Sequence, residues 1–302
     1  MSTVGVVLMA YGSPADASDI LRYYTDIRRG RPPTDEQLAD LTRRYDAIGG
    51  LSPLLERTEA QRDAVQAALE QLAPGQYTVV LGLKHSDPTI EAAVEELAGR
   101  GVARVVGAVL APHYSGLSVG QYLSRLEDAA GQYGLGATGI QSWAVEPAFV
   151  DFLARELGER LAATPEATRV VFTAHSLPAR VVASGDPYPT ELRATAQAVA
   201  GELDLVEGER WETAWQSAGR TPEPWMTPDI LSVIDRLGAD PTVDGVVVCA
   251  CGFVADHLEV LYDLDVEARR RAESVGLRFE RTRCVNDDPS VMGALAARIT
   301  TA

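Results

Sequence analysis

Val4-Gly-Val-Val-Leu-Met-Ala-Tyr-Gly-Ser-Pro14 and Arg169-Val-Val-Phe-Thr-Ala-His-Ser-Leu-Pro178 are the stretches on which the fold turns. Each is a short apolar, β-branched run that stops at a turn signal, the mark of a buried strand feeding a loop. Met9-Ala-Tyr-Gly-Ser-Pro14 also parallels Thr173-Ala-His-Ser-Leu-Pro178, as an old duplication would leave it. Outward from these two, similar runs recur at Tyr77 to Leu83, Val105 to Ala111 and Thr138 to Trp143, and then at Arg210 to Trp215, Gly245 to Cys251 and Leu277 to Thr282. A helix-period stretch follows each. Four strands alternating with helices, twice over, predict an α/β protein with two parallel four-stranded sheets flanked by helices.

The boundary is expected near residues 145 to 165, giving an N-terminal domain over 1–150 and a C-terminal domain over 151–288. Residues 14–74 form an Arg-rich insertion predicted to hold two or three helices, among them Asp19 to Arg31 and Thr34 to Ala47. Residues 289–302 are predicted to be a closing helix able to pack back on the N-terminal domain.

The chain has 302 residues, and 43 acidic against 27 basic side chains leave a net charge of −16. Such a field repels nucleic acid and anionic membrane surfaces, so neither is an expected partner. The apolar run over residues 1–10 is too short for a signal peptide or a membrane span, which predicts a cytoplasmic protein. Three cysteines, Cys249, Cys251 and Cys284, are expected as reduced, packed side chains. Of the 27 basic residues only Lys84 is a lysine.

In parallel sheets, ligands bind beyond the carboxyl ends of the strands. Tyr11, Lys84-His85, His113-Tyr114, His175, and His257 with Glu259 all follow predicted strands, and this gathering of all four histidines in such loops argues for a cleft between two domains. No dinucleotide fingerprint, phosphate-binding loop or nucleophile elbow is present, and no paired spacing suggests a structural zinc. Asp256 to Glu267 reads as a helix, and its carboxylates Glu259, Asp263 and Glu267 fall four residues apart and therefore on one face. They form either a solvated acidic face or a track for a cation, with an added imidazole such as His175 favouring Fe2+, Co2+ or Zn2+. Arg22, Arg28, Arg29, Arg31, Arg43 and Arg44 form either solvated helix faces paired with acids or forks for a polyacidic small molecule.

Taken together, Val171 to Pro178, Gly185-Asp-Pro-Tyr-Pro189 and Gly252 to Asp263 closely resemble the ferrochelatases, in particular the soluble bacterial type that inserts iron into coproporphyrin III. Met9-Ala-Tyr-Gly12, Tyr23 to Gly30, Arg44 to Pro53, Gly82-Leu-Lys-His85, Leu110-Ala-Pro-His113 and Trp215-Gln-Ser217 carry the same resemblance across the whole chain. It implies the class II chelatase fold, two Rossmann-like domains with the active-site cleft between them. It also implies His175 and Glu259 as the catalytic and metal-binding pair, and Tyr11, Arg28, Arg44, Tyr45, Ser52, Lys84, His85 and Tyr122 as substrate-binding positions. Asp263 and Glu267 would extend the metal or proton path. Actinobacterial relatives hold an iron-sulfur cluster on four cysteines, whereas this chain has three, spaced differently, so no cluster and no permanently bound cofactor is expected.

The expected function is that of a lyase of haem biosynthesis that joins Fe2+ and coproporphyrin III into Fe-coproporphyrin III. It would work as a monomer, with transient contact with neighbouring haem-pathway enzymes and no integral membrane association. The alternatives are a protoporphyrin IX ferrochelatase, a cobalt or nickel tetrapyrrole chelatase, and a non-enzymatic coprohaem carrier using Tyr11 as ligand.

Overall fold

A computed structural model describes residues 3–219 and 221–302. The chain divides into two compact units. The first comprises residues 3–111, Gly116–Trp143 and Asn286–Ala302, and the second comprises Pro112–Ser115 and Ala144–Val285.

In the first unit, β1 (Val4–Ala10), β2 (Tyr77–Leu83), β3 (Arg104–Val109) and β4 (Gly136–Ile140) form one parallel sheet in the order β2-β1-β3-β4. Between β1 and β2 lie three α-helices, α1 (Ile20–Ile27), α2 (Asp35–Ala47) and α3 (Leu54–Leu72), and the crossovers that follow use α4 (Ile90–Gly99) and α5 (Val119–Gln132). The central strand β1 is sunk on both faces, with Val6, Val7, Leu8 and Met9 fully buried. That double burial explains an unbroken apolar run where an alternating one would mark a half-exposed strand. β4 is an edge strand exposed at alternate positions and built on Gly136 and Gly139, which is why its sequence signal is the weakest. The α4 helix buries Ile90, Ala93, Val94 and Leu97, an i, i+3, i+4, i+7 stripe, and opens with Thr89 Oγ1 accepting from the Ala92 amide. Thr34 and Gln37 close a reciprocal capping box at the start of α2.

The second unit repeats the plan. β5 (Thr168–His175), β6 (Trp211–Gln216), β7 (Gly245–Cys249) and β8 (Arg278–Arg281) pair in parallel as β6-β5-β7-β8. Its helices are α6 (Pro147–Ala162), α7 (Arg180–Ala183), α8 (Tyr188–Gly201), α9 (Ile230–Gly238), α10 (Leu258–Leu261) and α11 (Arg269–Ser274). The last helix of the chain, α12 (Pro289–Thr300), packs against α3 of the first unit, and Gln61 Nε2 donates to the Asn286 carbonyl at 2.9 Å just ahead of it. Asp288 caps α12, with Pro289 in its first turn.

The segment Asp256 to Glu267 departs from the continuous α-helix expected of it. A single turn of α-helix, α10, gives way to a π-helix over Asp263–Ala268, in which the Glu267 amide donates to Tyr262 O at 2.9 Å. An i→i+5 bond widens the turn. With slightly more than four residues per turn, the four-residue spacing of Glu259, Asp263 and Glu267 is still close to one full turn, with Asp263 buried and Glu259 and Glu267 partly exposed. Among the described residues no helix is long and apolar enough to cross a membrane.

One glycine ties the fold to the loop beyond β7. A Cβ on Gly252 would stand 2.3 Å from Ala174 Cβ and 2.6 Å from Ala174 Cα, and the latter belongs to the backbone of β5. Gly252→Ala should therefore lower stability by about 1–3 kcal/mol through overpacking. Urea denaturation followed by circular dichroism measures it, and an unchanged midpoint would contradict this account.

Candidate functional site

His175 is the last residue of β5, a strand flanked by β6 and β7, so it emerges at the carboxyl end of the sheet's centre. Its Nδ1 lies against the Ser176 carbonyl, which can only accept, so Nδ1 carries the proton and Nε2 faces outward. His257 is arranged alike, its Nδ1 donating to Ala255 O at 2.9 Å. Between the two Nε2 atoms stands Glu259, with His175 Nε2 3.5 Å from Oε1 and His257 Nε2 3.6 Å from Oε2. The side chains of His175 and Glu259 are 33% and 37% exposed, open enough for an ion to reach them.

The electrostatics follow from this geometry. Burial alone would pull the His175 pKa down, but the facing Glu259 charge, its hydrogen bond and the Ser176 carbonyl outweigh it, leaving the imidazole pushed up to about 9. Burial likewise acts to raise Glu259, and the charge and hydrogen bond of His175, with the hydrogen bond from His257, win and hold it well below the ordinary carboxylate range. The resting pair is thus an imidazolium facing a carboxylate. Around it, Tyr188 Oη donates to the His175 carbonyl at 3.1 Å and stacks on Trp215, while Phe253 packs on His257. Asp263 is buried at the start of the π-helix, and Glu267 is partly buried within it.

The remaining candidates lie in the first unit. The Lys84 and His85 amides donate to Ala10 O and Tyr11 O at 2.9 and 3.0 Å, which continues the β1–β2 ladder and sets Lys84-His85 beside Tyr11. Tyr11 is exposed, with its ring 4.6 Å from that of His85, and His85 Nδ1 donates to Asp26 Oδ2 at 2.6 Å. Burial lowers the His85 pKa against the opposing pull of Asp26. Lys84 Nζ donates to Gln121 Oε1 at 2.7 Å and lies 5.0 Å from the centre of the Tyr122 ring. Tyr122 is itself buried, and burial raises its phenol pKa.

Arg28 ends α1, with its guanidinium over Tyr24 and its Nε donating to Arg31 O. Arg44 lies on α2 and pairs with Asp40 at 3.3 Å, Tyr45 beside it is buried, and Ser52 Oγ accepts the Leu54 amide at the start of α3. The fourth histidine is different in kind. His113 is 1% exposed, its Nε2 donates to Thr195 Oγ1 at 2.8 Å, and burial drives its pKa down to about 3, so it is a neutral core side chain.

Two groups escaped the sequence reading. His257 was noticed as a loop histidine, yet only the fold shows its Nε2 facing the second oxygen of Glu259. Gln121 carried no signal, because a glutamine on an amphipathic helix looks like any solvated position; the fold makes it the partner of Lys84. Cys249, Cys251 and Cys284 are buried free thiols.

The sequence pattern of the family described as Ferrochelatase matches residues 3–302. The chain is similar to the ferrochelatase of Herpetosiphon aurantiacus, 40% identical over 301 residues, covering 98% of this chain and 97% of the relative. It is also similar to the coproporphyrin III ferrochelatase of Geobacillus kaustophilus, 42% identical over 302 residues, covering 98% and 94%. Among solved structures it resembles in fold SirB from Bacillus subtilis with Fe3+, at TM-score 0.60, 11% identity and coverage of 99% and 94%. A second is CbiX, the terminal enzyme for biosynthesis of siroheme in denitrifying bacteria, at TM-score 0.56, 13% identity and 99% coverage of both chains.

Burial, with the nearby charges of Arg125 and Arg29, pulls Lys84 from 10.5 down to about 8. Because folding depresses this pKa, the ammonium opposes folding at pH below about 8, and stability should rise with pH between about 8 and 10.5. As the sole lysine, Lys84 is the one side chain that reductive 13C-methylation labels besides the terminal amine. Its methyl resonance should titrate far below an ordinary lysine, and a midpoint near 10.5 would refute the buried setting.

Proposed function

This chain belongs to the ferrochelatase family, and from that premise we propose that it inserts Fe2+ into coproporphyrin III to give Fe-coproporphyrin III in haem biosynthesis. The observation that carries the reading is the Glu259 carboxylate held between the Nε2 atoms of His175 and His257, in a chain 42% identical to a coproporphyrin III ferrochelatase. Metallation exchanges two pyrrole N–H protons for one Fe2+, so the site must deliver a cation and remove protons. One imidazole and one carboxylate suit that task, since mixed nitrogen and oxygen donors accept Fe2+ without the permanence of a thiolate cage.

His175 begins protonated because Glu259 faces it. Fe2+ arriving at Glu259 cancels the anion that holds this proton, and the freed imidazole can shed it and then accept one from a pyrrole. Asp263 and Glu267 are the carboxylates assigned to carry protons or metal onward. We assign Tyr11 as a ligand to the iron of the product, and Arg28, Arg44, Tyr45, Ser52, Lys84, His85 and Tyr122 as porphyrin contacts. Guanidinium forks match propionates bidentately, and the four propionates of coproporphyrin use such forks more fully than the two of protoporphyrin. The protein is taken to act as a cytoplasmic monomer without a resident cofactor, passing its product to the next haem-pathway enzyme.

The second imidazole, His257, favours testing a second reading, a chelatase that loads Co2+. Anaerobic insertion assays with Fe2+ and Co2+, each offered coproporphyrin III and protoporphyrin IX, separate these possibilities. Fe2+ with coproporphyrin III should give the highest kcat/KM. His175→Ala and Glu259→Gln should each reduce it by about 10²- to 10⁴-fold with the far-ultraviolet circular dichroism unchanged. Tight binding of Fe-coproporphyrin III without turnover would select a carrier instead, and full activity in either variant would remove the pair from the reaction.

A further inference from the structure

We propose that Gln216 and Ser217 are positioning residues for the metal-handling pair: the Gln216 amide and the Ser217 hydroxyl set where Glu259 and Asp263 stand relative to His175, without touching the metal ion. The inference rests on the ferrochelatase reading above and deepens it. Trp215-Gln-Ser217 is one of the segments that carry the family resemblance, and nothing in the chemistry so far has given its polar residues a task.

Gln216 grips the strand that carries His175 in two ways. It stands opposite His175 in the β5–β6 register, and its carbonyl accepts the Ser176 amide at 2.7 Å, one residue past the strand end. Its side chain, fully buried, accepts from Thr173 Oγ1 at 2.8 Å through Oε1 and donates to the Glu259 carbonyl at 3.2 Å through Nε2. The orientation is dictated by the partners, because a main-chain carbonyl can only accept and the amide nitrogen must face it. One amide thus bonds both the side chain of β5 and the main chain of Glu259.

Ser217 continues the device. Its φ of 61° lies in the left-handed region, which a residue bearing a Cβ adopts only where the surroundings impose it. That turn aims Oγ at Asp263 Oδ2, to which the hydroxyl donates. Two consecutive residues of β6 and its extension therefore hold the acidic segment at Glu259 and Asp263. Val260 and Leu264 seat this segment in the core by its apolar side, and the hydrogen bonds from Gln216 and Ser217 fix its polar side, where Glu259 and Asp263 lie. Loss of groups that orient metal ligands commonly costs about 10- to 100-fold in metal affinity or activity.

The test uses the full chain and three variants. Gln216→Glu keeps size and the acceptor for Thr173 while losing the donor to Glu259 O. Ser217→Ala and Ser217→Gly both remove the hydroxyl, but only glycine relaxes the positive φ. The Fe2+ KM in the insertion assay and the Co2+ affinity by calorimetry without porphyrin should both weaken by about 10-fold in all three. Coproporphyrin III affinity, read by fluorescence, should not change. Ser217→Gly should melt no lower than Ser217→Ala yet show the same loss of metal affinity, a split that a purely structural serine would not produce. Unchanged metal parameters in the folded variants, or a loss confined to melting temperature or shared equally by the porphyrin, would overturn the proposal. Should Gln216→Glu fail to fold, the two Ser217 variants decide it alone. A wild-type chain that metallates no porphyrin would instead overturn the parent reading, and this inference with it.

Discussion

One carboxylate shared between two imidazoles is the interaction that sets the charge state at the carboxyl end of the second unit's sheet. Glu259 offers one oxygen to His175 and the other to His257, and each imidazole has its far nitrogen committed to a main-chain carbonyl. Those carbonyl bonds fix both tautomers, so both Nε2 atoms face the same group. The arrangement holds a proton, because the Glu259 carboxylate stabilises the His175 imidazolium against the cost of burial. Partial exposure matters as much as charge: complete burial would close the pair to a metal ion, and full exposure would let water screen the interaction.

The first unit uses the same strand-end logic with different groups. A parallel ladder extended one register beyond β2 brings Lys84 and His85 alongside Ala10 and Tyr11, and the ammonium is then set over Tyr122 and against Gln121. Where the chain elsewhere uses arginine, which stays charged under all ordinary conditions, this position has an amine whose pKa is pulled down to about 8. Arg125 contributes to that state, since its guanidinium is forked on Glu91 and also donates to the Lys84 carbonyl at 2.8 Å. The negative net charge of the chain thus coexists with a local cationic cluster beside an exposed tyrosine.

Much of the architecture was legible because buried parallel strands leave unbroken apolar runs. All eight predicted strands occur, and the faintest of them, Thr138 to Trp143, corresponds to the glycine-bearing edge strand Gly136–Ile140. The acidic segment is helical as expected, but its π-turn was not legible because a π-helix has no composition signature: Asp263 to Ala268 reads as ordinary amphipathic helix until its hydrogen bonds are traced. His113 shows the reverse limit. Its position after a strand resembled that of His175, yet Thr195 and complete burial make it part of the core.

By itself, the sequence determined the doubled α/β plan, the placement of Tyr11, Lys84, His85, His175 and Glu259 at or beyond the ends of strands, and the resemblance to ferrochelatases. Those follow from local pattern and from matching segments, which need no knowledge of distance. Only the tertiary structure decided that His257 completes the pair around Glu259, that Gln121 receives the Lys84 ammonium, and that Gln216 and Ser217 reach across to Glu259 and Asp263. His257 is two positions from Glu259, but the others join residues tens of positions apart, through side chains whose types are unremarkable in isolation. Hydrogen-bond partnership is a matter of a few tenths of an ångström, and that precision exists only once the strands and their loops have packed.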